Sequence, residues 1–209
     1  MRPLPRLHVL TSDEVLGRED FGIRAAAFAA AGSSVALHAR TRLNGARLAA
    51  LTTRLLALAR PPEAAVFVNG RADVARALRP QGVHLAQGDL PLEAVRRVLG
   101  QEWSGWVGRS IHSEEEARAA HEEGADYLMV GNVYRTESHP ERPARGLELV
   151  RRSAARGLPI IAVGGVTAER IPELRAAGAW GVAVIAAAWS APDPAEAARA
   201  LLDPWTADG

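Results

Sequence analysis

The feature that most constrains this chain is a series of short apolar runs separated by helix-patterned segments, clearest between Gly124 and Ile185. Three of the runs, at 127–130, 160–163 and 182–185, are β-branched or aliphatic, and the first two end directly on glycine. Runs without polar alternation are strands buried on both faces, the condition of a parallel sheet covered by helices. Glycine at a strand's carboxyl end lets a backbone come close to a ligand, and the amides there suit a phosphate. The stretch therefore predicts the phosphate-binding half of a (β/α)8 barrel.

The preceding chain supplies the other half. Strands are expected at 7–10, 35–37, 65–68 and 82–85, with a fifth beginning at Trp106. Helices are expected at 21–31, closed by Gly32, at 46–59, broken by Pro61 and Pro62, from about 72 to 78, and from Pro91. Ser113 reads as the N-cap of a helix over 114–123, acidic in its first turn as the dipole favours. Further helices are expected at 146–155, 168–177 and 195–202. Eight strand-plus-helix units make a single α/β domain over 1–209, a TIM barrel, with chemistry at the strands' carboxyl ends. Alternation alone does not show that a sheet closes, so a doubly wound sheet stays the alternative.

At 209 residues the chain is short for such a barrel, usually about 250, so its loops must be lean. The exception is 132–145, which holds Thr136, Ser138, His139, Arg142 and Arg145. Connections of this length are usually lids or binding loops.

Composition excludes more than it assigns. Lys+Arg 25 against Asp+Glu 24 leaves a formal net charge of +1, so no broad field favours nucleic acid or an acidic membrane surface. The absence of cysteine removes disulfides and thiolate chemistry and fits a cytoplasmic protein. The first ten residues lack an apolar run of signal-peptide length, and the alanine-rich runs at 25–31 and 183–189 fall far short of a membrane span.

Several pieces then appear in order and at family spacing: Val-Asn-Gly-Arg-Ala-Asp-Val-Ala at 68–75, Gly-Val-His-Leu-Ala-Gln-Gly-Asp at 82–89, Gly-Arg-Ser-Ile-His-Ser at 108–113, Gly-Ala-Asp-Tyr at 124–127 and Ala-Val-Gly-Gly-Val at 162–166. With them the chain resembles the thiamine phosphate synthase/TenI superfamily over nearly its whole length. That superfamily contains synthases, which join a pyrimidine diphosphate to a thiazole phosphate with release of pyrophosphate, and TenI-type tautomerases, which aromatise a carboxythiazole phosphate.

The resemblance implies closeness to the TenI type. The synthase motif Gln-x-Arg-x-Lys reads His38-Ala39-Arg40-Thr41-Arg42 here, the synthase Asn-Asp reads Asn69-Gly70, and the synthase Thr-x-Thr-Lys reads Thr136-Glu137-Ser138-His139. One carboxylate and one ammonium that would meet Mg²⁺ and pyrophosphate are thus missing. Asp89 is left as the sole magnesium ligand candidate, and helix capping is its simpler role. His8, the Gly108-Arg109-Ser110 run and the Arg145-Gly146 pair also resemble TenI-type sequences. Against this, the TenI histidine after the sixth strand is Asn132.

The implied function is therefore an isomerase of thiamine biosynthesis acting on a small phosphorylated thiazole, without a cofactor and as a possible homodimer. The alternatives are a synthase, with Mg²⁺, and a non-catalytic thiazole or thiamine phosphate binder marked by Asn132. Gly164 and Gly165 with Ile185 and Ala186 would form the phosphate cup, and Arg40 and Arg42 would meet a carboxylate or phosphate. Asn69, Ser110, Thr136, Ser138 and Gly146 complete the expected binding set. Proton transfer near neutrality calls for histidine, and His38, His112 and His139 are expected to follow strands. His8 and His84 sit within strands, where packing is the simpler reading, and His121 lies on a helix face.

Overall fold

A computed structural model describes residues 3–61, 63–136 and 144–206. Ser138 and His139 lie outside the described residues. Eight parallel strands hydrogen-bond in sequence order and close on themselves: β1 Leu7–Leu10, β2 Val35–Ala39, β3 Ala65–Asn69, β4 Gly82–Leu85, β5 Trp106–Ile111, β6 Tyr127–Val130, β7 Ile160–Val163 and β8 Gly181–Val184. Closure is completed by β1 against β8, where Leu7 pairs with Val182 and Val9 with Val184. The barrel is thus the expected one, and the doubly wound alternative is excluded.

Ten α-helices are described. They are α1 Asp13–Leu16, α2 Phe21–Ala29, α3 Gly45–Ala59, α4 Ala72–Leu78 and α5 Leu92–Leu99 in the first half. The second half has α6 Glu114–Glu122, α7 Gly146–Ala154, α8 Ile171–Ala176, α9 Ala186–Trp189 and α10 Pro194–Leu202. The expected cap is present: Ser113 Oγ accepts the Glu116 N–H at 3.2 Å. Asn44 caps α3 in the same way. The short helices α1 and α9 were not expected, and the segment before α8 is a 3₁₀ turn at Ala168–Arg170. Pro91 is the residue before α5 rather than a member of its first turn.

Strand pleating divides the core in two. Outward residues such as Val9, Leu37, Val66 and Leu128 pack under the helices, whereas Leu10, Ala36, Phe67, Tyr127, Met129, Ile161 and Ala183 fill the barrel. Two glycines make the filling possible. A Cβ on Gly82 would collide with the Phe67 ring, and one on Gly108 with the Tyr127 ring. The glycines in β4 and β5 therefore admit the two largest interior rings, and those rings support the floor of the open end.

One strand boundary bears on function. His38 was expected beyond the second strand, but β2 continues to Ala39, so His38 is an interior strand residue and wholly buried. The backbone explains the extension: Ala39 keeps its partner Val68 on β3, and Leu10 on β1 faces His38 in register.

Candidate active site

At the carboxyl ends of the strands lies a cavity of about 420 Å³. It collects Arg40, Asn69, Ser110, His112, Asn132, Thr136, Gly164, Gly165, Ile185 and Ala186, ten of the residues expected to form a site. His84, Gln87 and Gly88 line it as well. Among the expected residues that are described, three do not reach it. His38 lies below, in the barrel; Arg42 is exposed after β2; and Gly146 opens α7, donating its N–H to the Val133 carbonyl at 3.0 Å.

One wall is backbone. Gly164 and Gly165 have φ of 99° and 63°, the left-handed range in which a side chain is strained. A Cβ on Gly165 would lie 2.8 Å from Tyr134 Cβ and meet the Arg135 carbonyl oxygen. The chain after β6 is laid against this turn: Val133 N–H donates to Val163 O at 2.9 Å and Tyr134 N–H to Gly164 O at 3.0 Å. Arg170 stacks over the Tyr134 ring at 4.3 Å and donates to Gly165 O, while the Tyr134 hydroxyl meets Glu173. Sequence offered no sign of this clamp, because its partners come from three separate segments. The other part of the wall is the start of α9, seated by Trp189, whose Nε1–H donates to Leu10 O at 2.8 Å and whose ring stacks on Phe21.

The opposite wall is polar. Thr11 ties the turn after β2 by donating to Arg40 O at 2.7 Å and accepting the Arg40 N–H at 2.9 Å. Burial and the neighbouring Arg42 lower the Arg40 pKa from its ordinary value. The Asp13 carboxylate accepts the Thr41 hydroxyl and the Arg42 N–H, which fixes the rest of that turn. His112 lies 2.6 Å through Nδ1 from the Gly131 carbonyl, which only accepts, so Nδ1 carries a proton and donates it. Asn132 Nδ2 is buried and has no hydrogen-bond partner among the described residues.

Beneath the cavity two polar chains run through the barrel. His8 Nε2 lies 3.1 Å from Pro5 O, His8 Nδ1 lies 2.8 Å from His38 Nε2, and His38 Nδ1 lies 2.9 Å from Asn69 Oδ1. The second chain joins Tyr127 Oη to His84 Nδ1 at 3.1 Å and His84 Nε2 to Ser110 Oγ at 2.8 Å. Burial pushes all three imidazoles toward the neutral form: His38 falls to about 4, and His8 and His84 fall well below their ordinary value, helped in both by the neighbouring His38. Burial also drives the Tyr127 hydroxyl pKa well up.

The synthase alternative implies magnesium, and among the described residues the side chains do not by themselves build a site for it. Asp89 Oδ2 accepts the Ala86 N–H at 2.7 Å and so closes the turn after β4; it does not form the expected helix cap, because Pro91 is the residue before α5 and no side chain caps that helix. The residue facing Asp89 is Gly70, whose missing Cβ would stand 3.3 Å from Oδ2. No group of three or more metal-binding side chains converges among the described residues. Mg²⁺ takes one or two carboxylates from a protein and completes its shell with water and substrate phosphate, and the one carboxylate described here is already engaged by the backbone.

Fold and cavity define a (β/α)8 barrel whose open end pairs a glycine-backbone wall with a guanidinium, imidazole and amide wall. The family model described as thiamine monophosphate synthase matches residues 7–188, and the chain belongs to that family. A thiamine-phosphate synthase of Thermus thermophilus is 46% identical over 154 residues, which cover 73% of each chain. The thiamine biosynthesis bifunctional protein ThiM/ThiE of Symbiobacterium thermophilum is 47% identical over 142 residues, 67% of this chain but 29% of that one. Among solved structures, a thiamine phosphate pyrophosphorylase from Pyrococcus furiosus superposes with a TM-score of 0.79 at 30% identity, covering 97% of this chain and 96% of that one.

These relatives overturn the expectation of a TenI-type isomerase. Proteins 41% to 47% identical to this chain are named for the synthase, a transferase, or for a bifunctional protein of thiamine biosynthesis. The differences from the synthase motifs at positions 38, 70 and 139 do not outweigh the likeness along the rest of the chain. The structure gives part of the reason: His38 is tied into the interior chain rather than presented to the cavity, so its difference from glutamine is no mark of a proton-transfer site.

Proposed function

We propose that this chain is a transferase that joins a pyrimidine diphosphate to a thiazole phosphate, releasing pyrophosphate and forming thiamine phosphate. The observation that carries the reading is the two-walled cavity, which offers an anion site on each side of one space. The amides of Gly164, Gly165, Ile185 and Ala186 suit a phosphate monoester, and phosphate sites after the seventh and eighth strands recur in these barrels. Arg40, on the opposite wall, suits the diphosphate.

In this reading a carbon–nitrogen bond forms between the thiazole nitrogen and the pyrimidine methylene carbon while the carbon–oxygen bond to diphosphate breaks. Negative charge accumulates on the departing oxygen, and a fixed cation in a partly dry cavity stabilises it. Arg40 is that cation. The interior rings beneath keep water from the reacting carbon, and Asn69, Ser110 and His84 hold the pyrimidine edge. Holding both reactants in one cavity supplies the orientation that a bimolecular reaction in water lacks.

The purified chain is tested with both substrates together and with each alone. Thiamine phosphate and pyrophosphate should appear in equal amounts only with both. Absence of product above the buffer rate, at any divalent-ion concentration, would remove the reading.

A further inference from the structure

The chain of contacts from Pro5 to Asn69 has a polarity that donor and acceptor accounting fixes. A carbonyl oxygen only accepts, so His8 Nε2, 3.1 Å from Pro5 O, carries a proton. A neutral imidazole has a single N–H, which leaves His8 Nδ1 as a lone pair. His38 Nε2, 2.8 Å away, must then donate to it. That assigns the His38 proton to Nε2 and leaves His38 Nδ1 as a second lone pair. The group of Asn69 at 2.9 Å must therefore be a donor. An amide's oxygen and nitrogen are told apart by their partners rather than by shape, and here the partner demands Nδ2.

We infer that Pro5, His8 and His38 act as positioning residues that turn the Asn69 amide so that its nitrogen faces His38 and its carbonyl oxygen is left for the cavity. Asn69 lines that cavity, whereas His38 and His8 are wholly buried and do not. The site thus acquires a fixed acceptor, fit for a ligand N–H or O–H. Resting on the transferase reading, that ligand group is an amine or ring N–H of the heterocyclic substrate. An unconstrained asparagine would offer either edge and would discriminate less, because each wrong rotamer would set like against like.

The opposite polarity is costly. With Asn69 Oδ1 toward His38, the His38 proton moves to Nδ1, His8 must donate from Nδ1, and the His8 Nε2 lone pair then faces Pro5 O. Relief requires a second proton on His8, which is buried beside two other imidazoles. Full burial of both rings keeps water from bridging the mismatch.

The test is nuclear magnetic resonance on the ¹⁵N-labelled, ligand-free chain at neutral pH. Long-range proton–nitrogen correlations should show His8 and His38 both neutral and both protonated on Nε2. A nitrogen–nitrogen coupling across the hydrogen bond should link Asn69 Nδ2 to His38 Nδ1. A proton on His38 Nδ1, or an imidazolium at either residue, overturns the inference. Since no substrate is present, the result stands apart from the transferase reading: a chain without synthase activity can still show this polarity, and an active one can lack it.

Discussion

Gly70 is the residue at which this chain departs most plainly from a metal-binding barrel. It has φ of 76° and faces Asp89, so Gly70→Asp would set a second carboxylate beside the first. A side chain in the left-handed region costs about 1–2 kcal/mol, and like charges add to that. Without divalent ions the variant should melt below the parent. Mg²⁺ should recover the difference in the variant and leave the parent unmoved, since a ligand that binds the folded state stabilises it. Equal Mg²⁺ responses in thermal melts of both proteins would show that position 70 is not where the missing ligand belongs. Gly165 tests the other wall. Gly165→Ala places a methyl against Tyr134 and the Arg135 carbonyl at a φ of 63°, so the turn must shift. Affinity for thiazole phosphate by calorimetry should drop about tenfold, the equivalent of one charge-assisted amide contact. Affinity within twofold of the parent would place the phosphate elsewhere.

At the scale of elements, β1, β2 and β4 contribute buried imidazoles, and their titration sets a direction for stability against pH. Each folded-state pKa lies below that of the unfolded chain, near 6.5, so the unfolded state binds more protons as the solution is acidified. Stability from these groups is complete above about 6.5 and is lost as pH falls toward the folded value, about 4 for His38. For His38 alone the loss is on the order of 3 kcal/mol. Urea midpoints measured from pH 7.5 down to 4.5 should fall steadily; a flat profile would mean that the interior chains are hydrated or already charged. Helix α9 gives a second test. Trp189→Phe keeps the stack on Phe21 but leaves the Leu10 carbonyl without its Nε1–H donor, costing about 1–3 kcal/mol. The same variant should bind thiazole phosphate more weakly, because Trp189 seats the helix that begins at Ala186. Loss of stability with phosphate affinity unchanged would uncouple the two.

Across the whole molecule, closure leaves every strand hydrogen-bonded on both sides, so the sheet has no edge at which unfolding can begin locally. Far-ultraviolet dichroism and tryptophan fluorescence should therefore give one coincident thermal transition; separated midpoints would mark the two halves of the barrel as independent units. The described ion pairs are mostly exposed, as in Arg118 with Glu122 and Arg152 with Glu148 and Glu114. Such pairs are worth about 0–1 kcal/mol each, so they set solubility more than stability. No helix among the described residues is long and apolar enough to cross a membrane.

The sequence by itself determined the eight units and the family, because each depends on local period and on motif order; that the sheet closes into a barrel was decided by the pairing of β1 with β8. Apolar runs without alternation at 127–130 and 160–163 admit few structures other than buried parallel strands. The glycines at 164 and 165 and the cap at Ser113 were legible for the same reason: each answers a backbone demand within a few residues. Tertiary structure decided the rest. His38 became interior because β2 pairs with β3 through Ala39, a fact of register and not of composition. The chain Pro5–His8–His38–Asn69 joins the N-terminal segment to three strands, and the clamp of Tyr134, Arg170 and Glu173 joins segments far apart in sequence. Hydrogen bonds of that kind depend on distance in space, which closure of the barrel sets and which no spacing along the chain records.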